Sequence, residues 1–123
     1  MVKGNNLLFP SIIFSRENGI SQLKKLKVLQ CDSNGKIFDV NHLEVLTVLR
    51  CSGRRSGIGQ SGISKLTKVK ALDCSGNKEI MCLDHLHKTL LVLNNKNSGC
   101  ENKYKLRNPK KFNTFFWSRQ RNA

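Results

Sequence analysis

VKALDCSGNKEI, residues 69–80, closes a ladder of apolar residues spaced by three, Ile63, Leu66, Val69 and Leu72, with a two-residue step to Cys74. Spacing by three suits a tight helical turn or a bent linker, whereas the Leu-x-Cys step has the period of two of a short strand. Each such unit is a linker followed by a strand. Working outward, the same construction precedes it as Val40, Leu43, Leu46, Leu49 and Cys51, and follows it as Leu83, Leu86, Leu90, Leu93 and Asn95. A further copy, Ile20, Leu23, Leu26, Leu29 and Cys31, lies upstream. Cys31, Cys51, Cys74 and Asn95 follow one another at intervals of 20, 23 and 21 residues, a period at which chains stack as repeats. The expected fold is an α/β solenoid in which each unit adds one linker and one strand.

The phrases LKVLQCDSNGKI (26–37), LTVLRCSGRRSGI (46–58), VKALDCSGNKEI (69–80) and LLVLNNKNSGC (90–100) resemble leucine-rich repeats. The family phrase is L-x-x-L-x-L-x-x-N/C-x-L, and these units read L-x-x-L-x-C-x-x-N-x-x-I. The resemblance covers roughly residues 20–100, and units this short are similar to the compact repeats of bacteria, protists and large DNA viruses. It implies an arc with a short parallel sheet on its concave face and 3-10 or irregular linkers on its convex face. It also implies a ladder of asparagines that satisfies backbone groups in the turn after each strand. Asn34 and Asn77 match that ladder, Arg54 takes the position in the second unit and Ser98 in the fourth.

A chain of 123 residues supports one domain, and stacked units bury their apolar edges only against neighbours, so both ends need caps. Residues 1–19, with LLFPSIIF at 7–14, read as the N-terminal cap, 20–100 as the repeats, and 101–123 as a basic aromatic cap or docking tail. Pro10 interrupts the early apolar run and no small-x-small cleavage site follows, which disfavours a signal peptide. No run approaches the ~20 apolar residues of a membrane span, so no transmembrane segment is expected.

Of the five cysteines, Cys31, Cys51 and Cys74 take the inward strand position and should behave as small buried hydrophobes, with Cys82 or Cys100 the first to react. Thiols used in this way, and the lack of any N-x-S/T sequon, suit an intracellular, cytoplasmic setting; a virion component also fits.

The net charge of +14 is uneven, since residues 101–123 carry seven Lys/Arg against one acid, and it makes an anionic partner plausible, whether nucleic acid, an acidic protein or lipid headgroups. GIGQSG (57–62) has the spacing of a dinucleotide-binding fingerprint, but it falls where the second unit carries extra residues, so a glycine-rich repeat loop explains it better. Cys82, His85 and His87 form C-x-x-H-x-H, yet the nearest further ligand, Cys100, lies a repeat away, so no metal and no cofactor are expected. His42 sits beside Leu43 without a carboxylate and nucleophile at consistent spacing, and no catalytic constellation emerges.

Counting outward from the inward Leu and Cys or Asn gives the residues that a sheet face would present to a partner. They are Val28, Gln30 and Asp32; Val48, Arg50 and Ser52; Ala71, Asp73 and Ser75; and Val92, Asn94 and Lys96. The tail adds Lys110, Lys111, Phe112, Phe115, Phe116, Trp117, Arg119 and Arg121, where cations interleave with aromatics after a break at Pro109. The expected function is a non-enzymatic protein–protein interaction or assembly module acting through the strand face. The alternative is a basic structural protein, of a virion or associated with nucleic acid, that binds an anionic partner through its tail and linkers.

Overall fold

The Leu-x-Cys steps become strands, one per unit. In the computed structural model, which describes residues 24–108, they are β1 (Val28–Gln30), β2 (Val48–Arg50), β3 (Ala71–Asp73) and β4 (Val92–Asn94). They form one parallel sheet in the order β1-β2-β3-β4, with Leu29, Leu49, Leu72 and Leu93 in register. Residues 1–23, including the proposed N-terminal cap, and 109–123 lie outside the described residues.

The strands are three residues long, yet the hydrogen-bond ladder runs on past them. Cys31 N–H donates to Arg50 O, Cys51 to Asp73 O and Cys74 to Asn94 O, each at 2.9 Å. Two residues further on, Ser33, Gly53 and Gly76 donate to Ser52, Ser75 and Lys96 carbonyls, each at 2.8 Å. Those residues turn the chain through positive φ, at 58° for Ser33, 103° for Gly53 and 72° for Gly76, with Asn97 at 60° in the fourth unit. Glycine meets no steric penalty there, and Asn is the side chain that best tolerates it.

Ahead of the strands, the ladders spaced by three are tight turns. Leu43 N–H donates to Val40 O and Leu46 N–H to Leu43 O, both at 3.0 Å, and Leu66 and Leu86 bond three residues back in the same way. One segment departs from the irregular linkers expected: Gln60–Ile63 forms a single helical turn, α1, where the second unit carries its extra residues. The inward apolar residues of all four units, from Leu26 to Cys100, form one continuous core. Complete burial of each Leu or Ile is worth roughly 1.5–3 kcal/mol.

The turns after the strands come in two alternating designs. Asn34 Oδ1 accepts Lys36 N–H (2.9 Å) and Asn77 Oδ1 accepts Glu79 N–H (3.0 Å), while Asn77 Nδ2 reaches back to Cys51 O (3.0 Å) and Ile58 O (2.8 Å). In the second unit the expectation at Arg54 is corrected. Arg54 is exposed, and Ser56 is buried in its place with its Oγ accepting Ile58 N–H at 3.3 Å. Ser98 does the same for Cys100 N–H at 3.2 Å. In both designs the side-chain oxygen accepts the N–H two residues on; the next core residue comes three after the Asn, at Ile37 and Ile80, but two after the Ser, at Ile58 and Cys100. Gly57 and Gly99 then pack against the preceding Asn turns, where an added Cβ at Gly57 would lie 2.6 Å from Gly35 O.

Residues 101–108 close the free edge of β4. Leu93 and Arg107 exchange two backbone hydrogen bonds, at 2.8 and 3.0 Å, as an antiparallel bridge. The Arg107 guanidinium donates to Leu90 O (2.8 Å), His87 O (3.1 Å) and His87 Nε2 (2.9 Å). The Tyr104 ring lies 5.0 Å from that of His87, and its hydroxyl accepts Leu83 N–H at 2.9 Å and donates to Asp84. No helix among the described residues is long and apolar enough to cross a membrane.

Candidate functional site: the outer sheet face

Strand alternation turns Leu29, Leu49, Leu72 and Leu93 into the main core and sets their neighbours on the opposite, outer face. The registers assemble these neighbours into two rows across four strands, Val28–Val48–Ala71–Val92 and Gln30–Arg50–Asp73–Asn94. The apolar row is not open surface. Val28 is 4% exposed, Val48 1%, Ala71 0% and Val92 2%, and together they form a second buried cluster distinct from the main core. β-branched pairing across neighbouring strands accounts for this row.

The polar row is what the face presents, and its side chains are held in place. Arg50 bridges two strands, with Nη2 3.2 Å from Asp32 Oδ2 and Nε 3.7 Å from Asp73 Oδ2. Each carboxylate is pinned by its second oxygen: Asp32 Oδ1 accepts Ser52 N–H (2.9 Å), and Asp73 Oδ1 accepts the Ser75 N–H (3.0 Å) and hydroxyl (2.7 Å). Asn94 Oδ1 accepts Lys96 N–H at 3.2 Å. The Asp32 and Arg50 side chains are each 23% exposed, so screening leaves their pair worth well under about 1 kcal/mol of net stability. Its consequence is orientation, since three charged side chains from three units are fixed relative to one another. Gln30 Oε1, at the end of the row, is buried and accepts no hydrogen bond among the described residues. With Asp32 and Asp73 against Arg50 and Lys96, the face is neutral within a chain of net charge +14.

The other sequence candidates are dispersed. Lys110, Lys111, Phe112, Phe115, Phe116, Trp117, Arg119 and Arg121 lie outside the described residues. Cys82, His85 and His87 turn to separate partners, Cys82 Sγ to Tyr104 OH (3.7 Å), His85 Nε2 to Ile63 O (2.9 Å) and His87 Nε2 to Arg107. Among the described residues no group of three or more His, Cys, Asp or Glu could hold a metal ion. The GIGQSG glycines serve packing. Gly57 N–H donates to Asn34 O (3.0 Å), and a Cβ at Gly62 would run into the Phe38 carbonyl oxygen.

Cys31, Cys51 and Cys74 are buried, at 1%, 0% and 0% exposure. Burial, with the Cys31, Asp32 and Asp73 groups nearby, pushes the Cys51 thiol well above its ordinary value. The expectation that Cys100 would be accessible is corrected, because it fills the core position held by Ile37, Ile58 and Ile80 and is 0% exposed. There its Sγ lies 3.3 Å from Ser98 Oγ. The neighbouring Cys100 thiol and burial push the Cys74 thiol up, whereas Cys100 itself is lowered by Cys74 against the opposing effect of burial.

Sequence reasoning missed the polar side chains that tie neighbouring linkers together. Asn41 Nδ2 donates to Ser61 O (2.9 Å) while its Oδ1 accepts Lys65 N–H (2.8 Å). Gln60 Nε2 donates to Cys82 O (2.8 Å) and its Oε1 accepts Met81 and Cys82 N–H (2.8 and 2.7 Å). Their only signal was an amide placed about one repeat ahead of a linker, which is too common to single out. In comparisons with known proteins, no family model and no curated sequence matches the chain.

Proposed function

We propose that the chain is a short leucine-rich-repeat arc, that its outer polar row lies on the concave side, and that it acts there as a non-catalytic module binding a protein partner. The observation that carries this reading is the Asp32–Arg50–Asp73 arrangement, in which charged side chains from three successive units are fixed side by side on a neutral face. Ordered polar groups over a buried apolar floor lose little entropy on binding, which favours specific recognition.

The test is affinity capture by the full-length chain from extracts, repeated with Arg50→Ala and with Asn94→Ala. Arg50→Ala leaves Asp32 and Asp73 as adjacent uncompensated carboxylates, and Asn94→Ala alters the face without touching that pair. Loss of the same captured proteins with both variants, at an unchanged thermal midpoint, supports the reading. Capture indifferent to both substitutions overturns it.

A further inference from the structure

Parallel register fixes more than the two rows of the outer face. Thr47 and Val48 N–H both donate to Lys27 O, Lys70 and Ala71 N–H to Thr47 O, and Leu91 and Val92 N–H to Lys70 O, at 2.7–3.1 Å. Lys27, Thr47, Lys70 and Leu91 therefore form a row along the leading edge of the sheet, where the chain runs into each strand. Lys25 and Lys68 lie two residues earlier in their units, and Lys24 and Lys88 flank them in the linkers. All six lysines are exposed, and Glu44 is the acid among the corresponding linker residues 24–27, 44–47, 67–70 and 87–91. Among the described residues the ion pairs are those of Arg50, so no carboxylate neutralises these six. Residues 24–108 carry sixteen Lys/Arg against seven Asp/Glu, a net +9, and this edge alone contributes six minus one, +5.

We infer that the leading edge binds the phosphate backbone of nucleic acid without reading its sequence. Strands lie about 4.8 Å apart, so Lys27 and Lys70, two strands apart, stand about 10 Å from one another at the backbone. Their long stems let the ammonium groups adjust to successive phosphates. The composition of the edge selects this partner over the others that carry negative charge. Protein interfaces anchor on buried aromatics and Arg and are depleted in Lys, whereas phosphate binding depends on the number of cations and the counterions they release. A membrane surface would call for an apolar face to insert, and the exposed large apolar side chain in this row is Leu91 alone. The residues are separate from the outer polar row, so this inference stands or falls independently of the protein-binding reading.

The experiment is fluorescence anisotropy of a labelled mixed-sequence DNA duplex titrated with the full-length chain over a salt series. The quadruple variant Lys25→Gln, Lys27→Gln, Lys68→Gln, Lys70→Gln is compared with Lys36→Gln, Arg54→Gln, Arg55→Gln, Lys78→Gln, which removes the same charge from the turns on the trailing edge. The leading-edge variant should lose at least about tenfold in affinity and flatten the slope of log K against log salt by about 0.9 per phosphate contact removed. The trailing-edge variant should lose much less. Amine-reactive footprinting of the unsubstituted chain, which does not depend on how the variants fold, should show Lys27, Lys68 and Lys70 protected by DNA and Lys36 and Lys78 still labelled. Equal losses from both variants, absence of binding at physiological salt, unprotected leading-edge lysines, or edge-dependent binding to phosphatidylserine vesicles but not to DNA would each overturn the inference.

Discussion

Asn77 shows how much one side chain can hold between units. Its Nδ2 serves two buried carbonyls of the second unit, Cys51 O and Ile58 O, and its Oδ1 accepts a backbone N–H of its own turn. Asn77→Ala strips those carbonyls of their donor in a dry site, and urea unfolding should register a loss of about 1–3 kcal/mol or more. The exposed Arg54→Ala should change stability by no more than about 0.5 kcal/mol. At the other end, hydrogen bonds from Tyr104 and Cys82 hold the Asp84 carboxyl below its usual value. A depressed carboxylate contributes stability above its unfolded pKa of about 3.9, and that contribution is lost as pH falls through the folded value. The stability difference between the unsubstituted chain and Tyr104→Phe should therefore shrink on acidification from neutral pH to about pH 3; a difference constant with pH would separate Tyr104 from Asp84. Among the thiols, Cys82 is the partly exposed one, so native labelling should modify it well before Cys31, Cys51, Cys74 or Cys100. Rapid labelling of Cys51 would contradict its inward placement.

The strands were legible at the scale of elements because burial on one side of a sheet imposes a period of two. Val28–Gln30, Val48–Arg50, Ala71–Asp73 and Val92–Asn94 fall on the Leu-x-Cys or Leu-x-Asn steps, and the rows of the outer face follow from the same phasing. The turns were not all legible, because counting three residues on from Cys51 gives Arg54, whereas the second unit's turn starts at Gly53 and so places Ser56. Nor did the sequence distinguish an open apolar stripe from a buried one, since a Val row reads the same either way and only the packing settles it. The closure by Tyr104 and Arg107 depends on contacts some 20 residues back, at Asp84 and His87, which no local signal marks. Glycine substitutions test how closely the turns pack. Gly57→Ala, whose Cβ would meet backbone oxygens of Gly35 and Ile37 at 2.6 and 2.8 Å, should cost about 1–3 kcal/mol. Gly59→Ala, which would meet only Glu79 Cβ, at the longer distance of 3.3 Å, should be milder in thermal unfolding.

Every property of the whole molecule considered above, from the two buried clusters to the polar face and the lysine edge, follows from units stacked in one register. Stability in such a stack is shared between neighbours, and Leu72, 0% exposed and paired with Leu49 and Leu93 on either side, sits at its centre. Leu72→Ala should cost about 2–5 kcal/mol and, if unfolding is cooperative, should lower one midpoint for the whole chain instead of splitting it. The register itself is open to direct observation by through-hydrogen-bond scalar couplings in NMR. Cys31 N–H should couple to the Arg50 carbonyl, Cys51 N–H to that of Asp73, and Cys74 N–H to that of Asn94. Couplings displaced by a residue, or directed to acceptors within the same unit, would contradict the stack and with it the face and the edge built upon it.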